Sequence, residues 1–262
     1  IIVFGKMYTS FIISVLFYVY DLPPNLRGEL GDYFEGDILL SPRQLHQMER
    51  VLAEPTNRNG LRDIAKRWPN RTVTYYIEED DFDQMLKIKA GMEDISNNSC
   101  ITFVPRKSKN DHAYSSSAFQ GSSGGCFSNV GYSTPDEEGE THQVLNLHKG
   151  CFRHGTVVHE MLHTIGFYHM QSTYDRDNFV EIVWENISPG KEFNFARYNN
   201  DTVTDFGVAY DYDSVMHYPS VAFSKNGNRT IIPLQVRNIM RIDTHFADVA
   251  KVPVSLFKCK KY

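Results

Sequence analysis

The chain has 262 residues, of which 41% are apolar, and a formal net charge of -5. That composition supports one sizeable packed domain or two small ones and excludes a chain disordered throughout. The charge is small and dispersed, with no basic run, so neither nucleic acid nor stable membrane association is expected.

In chain order, Lys6 precedes the apolar run Phe11 to Tyr20, which gives way to Asp21 and the pair Pro23-Pro24. A run that short cannot span a bilayer, and a basic flank with a short apolar core is the build of a secretory signal peptide. Residues 1–20 are assigned to such a signal, with a buried first strand as the alternative because no small-residue cleavage site is visible. Residues 21–58 are polar and proline-bearing, and Ser41-Pro42, an N-cap and N1 pair, opens a predicted helix to Leu52. Thr72 to Ile77 and Ile101 to Val104 are β-branched and aromatic, and are predicted strands. Between them Phe82, Met85, Ile88, Met92 and Ile95 recur every three or four residues, which predicts a helix opening near Asp80-Asp81. Residues 115–135 are rich in Ser and Gly and read as loop, and Gln143 to Leu147 reads as a short strand. After Trp184 periodicity fades, leaving irregular structure with a hairpin at Asn226-Gly227.

The four cysteines, Cys100, Cys126, Cys151 and Cys259, include no Cys-x-x-Cys pair and so lack zinc-finger spacing. In an exported chain they form two disulfides, with three connectivities open to sequence alone. Asn-x-Ser/Thr triplets at Asn70, Asn97, Asn186, Asn200 and Asn228 agree with export and glycosylation.

The chemistry lies in His159-Glu-Met-Leu-His-Thr-Ile-Gly-Phe-Tyr-His169. Residues four apart share a helix face, so His159 and His163 present two imidazoles to one ion, with Glu160 beside them. Val158, Met161, Leu162 and Ile165 supply the opposite, buried face. Gly166 can take a left-handed backbone that ends the helix and turns His169 toward the same ion. Three neutral imidazoles leave zinc an open position for water, as in a catalytic site. A closed structural site gives Glu160 no task and offers no fourth thiolate. Zinc activates water and polarises a carbonyl, and Glu160 is placed to move the proton.

That motif, followed by Ser214-Val-Met-His-Tyr218, resembles the metzincins and, within them, the astacin family. The similarity runs from about Arg58 to Cys259, through Cys100-Ile-Thr-Phe-Val-Pro105, Gly125-Cys126, Gly150-Cys151 and Asp175-Arg-Asp177 in the family's order. It implies an α+β zincin fold: an N-terminal subdomain with a twisted, mostly parallel sheet and two long helices, an irregular C-terminal subdomain, and an active-site cleft between them. It implies one Zn2+ per chain held by His159, His163 and His169, with Met216 as a hydrophobic floor. Tyr218 is then a fifth ligand that swings away to stabilise the oxyanion. By spacing alone Met216 is ordinary core. The resemblance also pairs Cys100 with Cys259 and Cys126 with Cys151.

Phe34-Glu-Gly-Asp37, by itself a turn, resembles the family's propeptide motif in which an aspartate occupies the zinc, which makes Asp37 the zymogen ligand. The chain then divides into a signal (1–20), a propeptide (21–58) and a catalytic domain (59–262), with activating cleavage near Arg58. Val144, Leu145, Asn146 and Leu147 resemble the edge strand along which the family lays an extended substrate. Arg241 is either a basic subsite or an ordinary surface arginine. Met170 stands where the family usually has the glutamate that anchors the mature N-terminus, Thr173 where arginine is common, and Pro253 falls inside the last helix. The expectation is a secreted zinc endopeptidase acting on proteins or peptides. Its rival is a non-catalytic secreted binding protein of the same fold, which has no need to keep Glu160 and Tyr218.

Overall fold

The computed structural model describes residues 31, 33–40, 44, 60–61, 66–78, 81–106, 116–120, 124–133, 142–198, 203–204 and 209–235, with the backbone alone for 60–61, 116–120, 142 and 203–204. Residues 1–20, most of the helix expected over Ser41 to Leu52, the cleavage region at Arg58, Arg241, Pro253 and Cys259 lie outside the described residues.

The described strands are β1 (Gly60–Leu61), β2 (Thr72–Ile77), β3 (Thr102–Pro105), β4 (Ser116–Gln120), β5 (Cys126–Ser128), β6 (His142–Leu147), β7 (Val180–Ile182), β8 (Val203–Thr204) and β9 (Ile231–Pro233). The main sheet has the order β3-β2-β4-β6-β5, parallel throughout except for β5 on β6. Parallel neighbours need a crossover, and α1 (Phe82–Asn98) supplies it between β2 and β3. Asp81 caps α1, its side chain accepting from the Gln84 amide at 3.1 Å. Ile88, Met92 and Ile95 are buried as their spacing predicts, but Phe82, at the open first turn, is 67% exposed.

Two strands arise where the sequence reads as loop. Ser and Gly in 115–135 carry weak strand propensity, yet β4 is hydrogen-bonded on both sides, to β2 and to β6. Such pairing overrides local preference. β5 lies antiparallel on β6 and is tied down by the Cys126–Cys151 disulfide. Cys100 is also disulfide-bonded.

The second helix, α2 (His154–Thr164), packs against both the sheet and α1, and every residue from Thr156 to Thr164 is buried. The two helices meet at Gly91, where an added Cβ would lie 2.8 Å from Val157 Cγ1 and 3.3 Å from Met161 Sδ. Val157 is β-branched, fully buried and unable to yield. Gly91→Ala should therefore lose stability: overpacking costs about 1–3 kcal/mol, more than the roughly 1 kcal/mol gained by removing a helical glycine. A thermal midpoint lowered by a few degrees is expected, and an unchanged or raised midpoint would contradict this packing.

Beyond α2 the structure is short 3-10 turns and the β7–β9 pair around Phe195, Tyr212, Tyr218 and Ile231. β8 pairs with β1. Asn226-Gly227 does turn the chain, with Gly227 at φ 78° and Asn228 N bonded to Asn226 Oδ1 at 3.0 Å. The expected hairpin does not form across it, because the strand that follows, β9, pairs with β7 instead. No helix among the described residues is long and apolar enough to cross a membrane.

Candidate metal centre and active site

The end of α2 builds the first half of the site. After Thr164 and Ile165, Gly166 adopts φ 109°, a backbone that side-chain-bearing residues avoid. The Gly166 amide bonds to His163 O at 2.9 Å and the Phe167 amide to Leu162 O at 3.0 Å, a Schellman closure that reverses the chain. His169 is thereby carried back beside His159 and His163, as the spacing predicts.

One ligand atom from each of Asp37, His159, His163 and His169 lies within 4.8 Å of all the others, and all four residues are buried. His159 Nε2 is 3.1 Å from His163 Nε2 and 3.3 Å from His169 Nε2. Asp37 Oδ2 is 3.1 Å from His159 Nε2 and 3.3 Å from His169 Nε2, and Asp37 Oδ1 is 3.4 Å from His163 Nε2.

The outer atoms of the rings explain why the inner ones converge. His159 Nδ1 is 2.7 Å from Val215 O, His163 Nδ1 is 2.7 Å from Phe167 O, and His169 Nδ1 is 2.7 Å from Glu35 Oε2. A carbonyl or carboxylate only accepts, so each Nδ1 carries the proton and each Nε2 turns a lone pair inward. Three lone pairs and a carboxylate at such separations repel one another without a cation among them. Four ligands about 2.0–2.1 Å from a zinc ion lie about 3.3 Å apart along the edges of a tetrahedron, and the separations above, 3.1–3.4 Å with Asp37 reaching His159 and His169 through Oδ2 and His163 through Oδ1, lie near that edge. The donor set fits zinc.

The protein's own charges at this centre, taken without a metal ion, call for a cation. Burial opposes ionisation of Asp37, but His169 and His163 hold its carboxyl well below the usual carboxylate range. Burial lowers His163 to about 4, which keeps that ring neutral. Burial also works against charge on His169, yet Asp37 and Glu35 outweigh it and push the ring up to about 10. Positive charge here, from a proton or a metal ion, is what the two carboxylates favour.

Residues 33–39 lie over this centre as a strap. Ser128 N donates to Asp37 O and Leu39 N to Ser128 O, both at 2.9 Å, so the strap pairs with the outer edge of β5. Phe34 stacks on Phe193 with ring centres 6.4 Å apart. Glu35 reaches inward, accepting from Ser172 Oγ at 2.7 Å, while its backbone O accepts from the Tyr218 hydroxyl at 2.5 Å. The Tyr218 ring centre is 4.6 Å from that of His169, but its hydroxyl is committed to Glu35. In this arrangement Asp37 completes the cluster of four. Burial, Glu35 and Asp37 raise the Tyr218 phenol well above its ordinary value, so it remains a donor.

Glu160 is fully buried on α2, between two of the converging histidines. Met216 is 2% exposed, and its backbone O accepts from Met170 N at 2.7 Å. The neighbouring Val215 O holds His159, so the turn at Ser214–Tyr218 is fastened directly to a ligand.

Val144, Leu145, Asn146 and Leu147 do not form a sheet edge. β6 is an inner strand with β4 on one side and β5 on the other, Leu145 and Leu147 point into the core, and Asn146 Nδ2 donates to Gly125 O at 2.6 Å. The β-rich run at 143–147 gives no sign of which side is covered, and β5 was hidden in a segment read as loop. Glu35 and Ser172 were not singled out from the sequence. The available signal for Glu35 was a second carboxylate two residues before Asp37 in a Gly-bearing turn.

The family model of the astacin peptidases matches residues 60–254. The zinc metalloproteinase nas-4 of Caenorhabditis elegans is 33% identical over 235 residues, covering 88% of this chain and 70% of that protein. Seminal metalloprotease 1 of Drosophila melanogaster is 37% identical over 216 residues, covering 79% of this chain and 78% of that one. The zinc metalloproteinase nas-7 of Caenorhabditis elegans is 39% identical over 178 residues, and there the match spans 67% of this chain but 44% of the relative. Among solved structures, high choriolytic enzyme 1, a hatching enzyme zinc-protease from Oryzias latipes, superposes with a TM-score of 0.57 at 28% identity, covering 69% of this chain and 94% of that one. The buried three-histidine centre, with two ligands on α2 and the third returned by the turn after it, has the donor set of a zinc enzyme. The chain belongs to the astacin family of zinc metallopeptidases.

Proposed function

We propose that the chain is a secreted endopeptidase that hydrolyses internal peptide bonds of proteins, made as a zymogen in which Asp37 occupies the catalytic position on zinc. The observation that carries this reading is the convergence of Asp37 with His159, His163 and His169 in one buried cluster. Zinc bound there supplies a Lewis acid that activates water and polarises the scissile carbonyl. Glu160 takes the proton of the attacking water and delivers it to the departing amine nitrogen. The Tyr218 hydroxyl, once released from Glu35 O, donates to the developing oxyanion, and Met216 and Val215 keep the floor and the His159 ring in place. The substrate takes the position of the strap, adding main-chain hydrogen bonds to the outer edge of β5 at Ser128. The Cys126–Cys151 disulfide and the apolar N-terminal run support export.

Chain cleaved near Arg58 should hydrolyse a quenched peptide, lose that activity to a zinc chelator and recover it with about one equivalent of Zn2+. Chelator-insensitive cleavage, or none by zinc-loaded processed protein, would refute the reading and leave a binding protein on the same fold. Tyr218→Phe in processed protein is expected to lower kcat by about 100- to 1,000-fold, the usual cost of losing one oxyanion donor, with KM little changed. An unaltered kcat would remove Tyr218 from the mechanism.

A further inference from the structure

The three histidines are oriented by unlike groups. His159 and His163 give their Nδ1 protons to the neutral carbonyls of Val215 and Phe167, which belong to the body of the enzyme. His169 gives its proton to the carboxylate of Glu35, which belongs to the strap. Glu35 has no exposed surface, and its backbone sits at φ 48°, an uncommon conformation for a residue with a Cβ that persists only where surrounding contacts hold it. Those contacts include His169 Nδ1 and Ser172 Oγ on the two carboxylate oxygens and the Tyr218 hydroxyl on the backbone oxygen. Met170, next along the chain from His169, carries no anionic group that could take over from Glu35.

We propose that Glu35 is a positioning residue of the latent metal centre, an outer carboxylate that fixes His169 and holds zinc more tightly in the full chain than in the processed enzyme. A carboxylate on Nδ1–H fixes the tautomer and raises the basicity of the ligating nitrogen, effects usually worth about 10- to 100-fold in metal affinity. Charge points the same way: Asp37 and Glu35 together offset the two positive charges of a zinc ion buried away from water. The strap therefore does two things with residues two apart: Asp37 closes the metal and Glu35 secures its third histidine. The proposal rests on the reading of Asp37 as the latent ligand, and processing removes both carboxylates at once.

The test follows zinc release from the zinc-loaded full chain into excess chromogenic chelator, comparing wild type with Glu35→Gln, which keeps size and one acceptor. Release about 10- to 100-fold faster from the variant is expected. In 15N-histidine spectra the most downfield imidazole Nδ1–H signal should move upfield in Glu35→Gln, while the two bonded to carbonyls stay in place. A general loss of structure would shift all three. If Glu35→Gln does not fold, processed chain with added peptide spanning residues 31–40 replaces it: the wild-type peptide should slow zinc release and the Gln peptide should do so less. Release within twofold of wild type, or an unmoved downfield signal, would overturn the role of Glu35. Full-strength hydrolysis by the uncleaved wild-type chain would instead overturn latency, so the two failures are distinguishable.

Discussion

Glu160→Gln in processed protein is expected to lower turnover of a quenched peptide by about 100- to 10,000-fold, the range supplied by a positioned general base, while zinc content stays at one per chain. Glu160 is the one acid on α2, lies between His159 and His163 along the chain, and is buried in the full chain. Glutamine has the same shape and cannot accept the proton of the attacking water. The contacts that orient His159 and His163 go to the backbone oxygens of Val215 and Phe167 and do not involve Glu160, so the exchange leaves these metal ligands in place. Metal analysis and kcat measured on one preparation check both halves. Undiminished kcat would refute the assignment of the base, and loss of zinc would show that Glu160 is needed to hold the site.

Asp37→Ala in the full chain is expected to raise activity without any cleavage. Asp37 is the strap's contact with all three ligand nitrogens, whereas the backbone bonds at Ser128 and Tyr218 would remain and continue to cover the cleft in part. Removing one of the four ligands opens that position to water while the strap still covers the cleft in part, so a rise on the order of 10- to 100-fold over the uncleaved wild type is expected, short of the fully processed enzyme. An Asp37→Ala chain as silent as the wild type would show that coverage by the strap, not ligation, maintains latency.

Much of the site was legible in the sequence because a single local device carries it. Residues four apart on a helix share a face whatever the rest of the chain does, and a glycine just past the helix end can reverse the chain. His159, His163, Gly166 and His169 therefore read correctly without tertiary information. α1 and β2 were legible for the same reason, their periodicity being local. The strands β4 and β5, short and set within a Ser- and Gly-rich segment, were not, since their pairing to β2 and β6 lies in the sheet and not in the local sequence. That omission misplaced the sheet edge onto Val144 to Leu147. Glu35 escaped notice because its value depends on reaching His169 and Ser172, more than 130 residues away. The hydroxyl of Tyr218 is diverted by that same segment.

X-ray absorption at the zinc edge, taken on the full chain and again after cleavage near Arg58, tests the central claim most directly. The full chain should show three imidazole nitrogens and one carboxylate oxygen at about 2.0–2.1 Å, and after cleavage the carboxylate should be exchanged for solvent oxygen with the three imidazoles retained. A sulfur ligand, fewer than three imidazoles, or carboxylate-carbon scattering beyond the oxygen shell that persists unchanged after cleavage would contradict a centre closed by Asp37 and built on His159, His163 and His169.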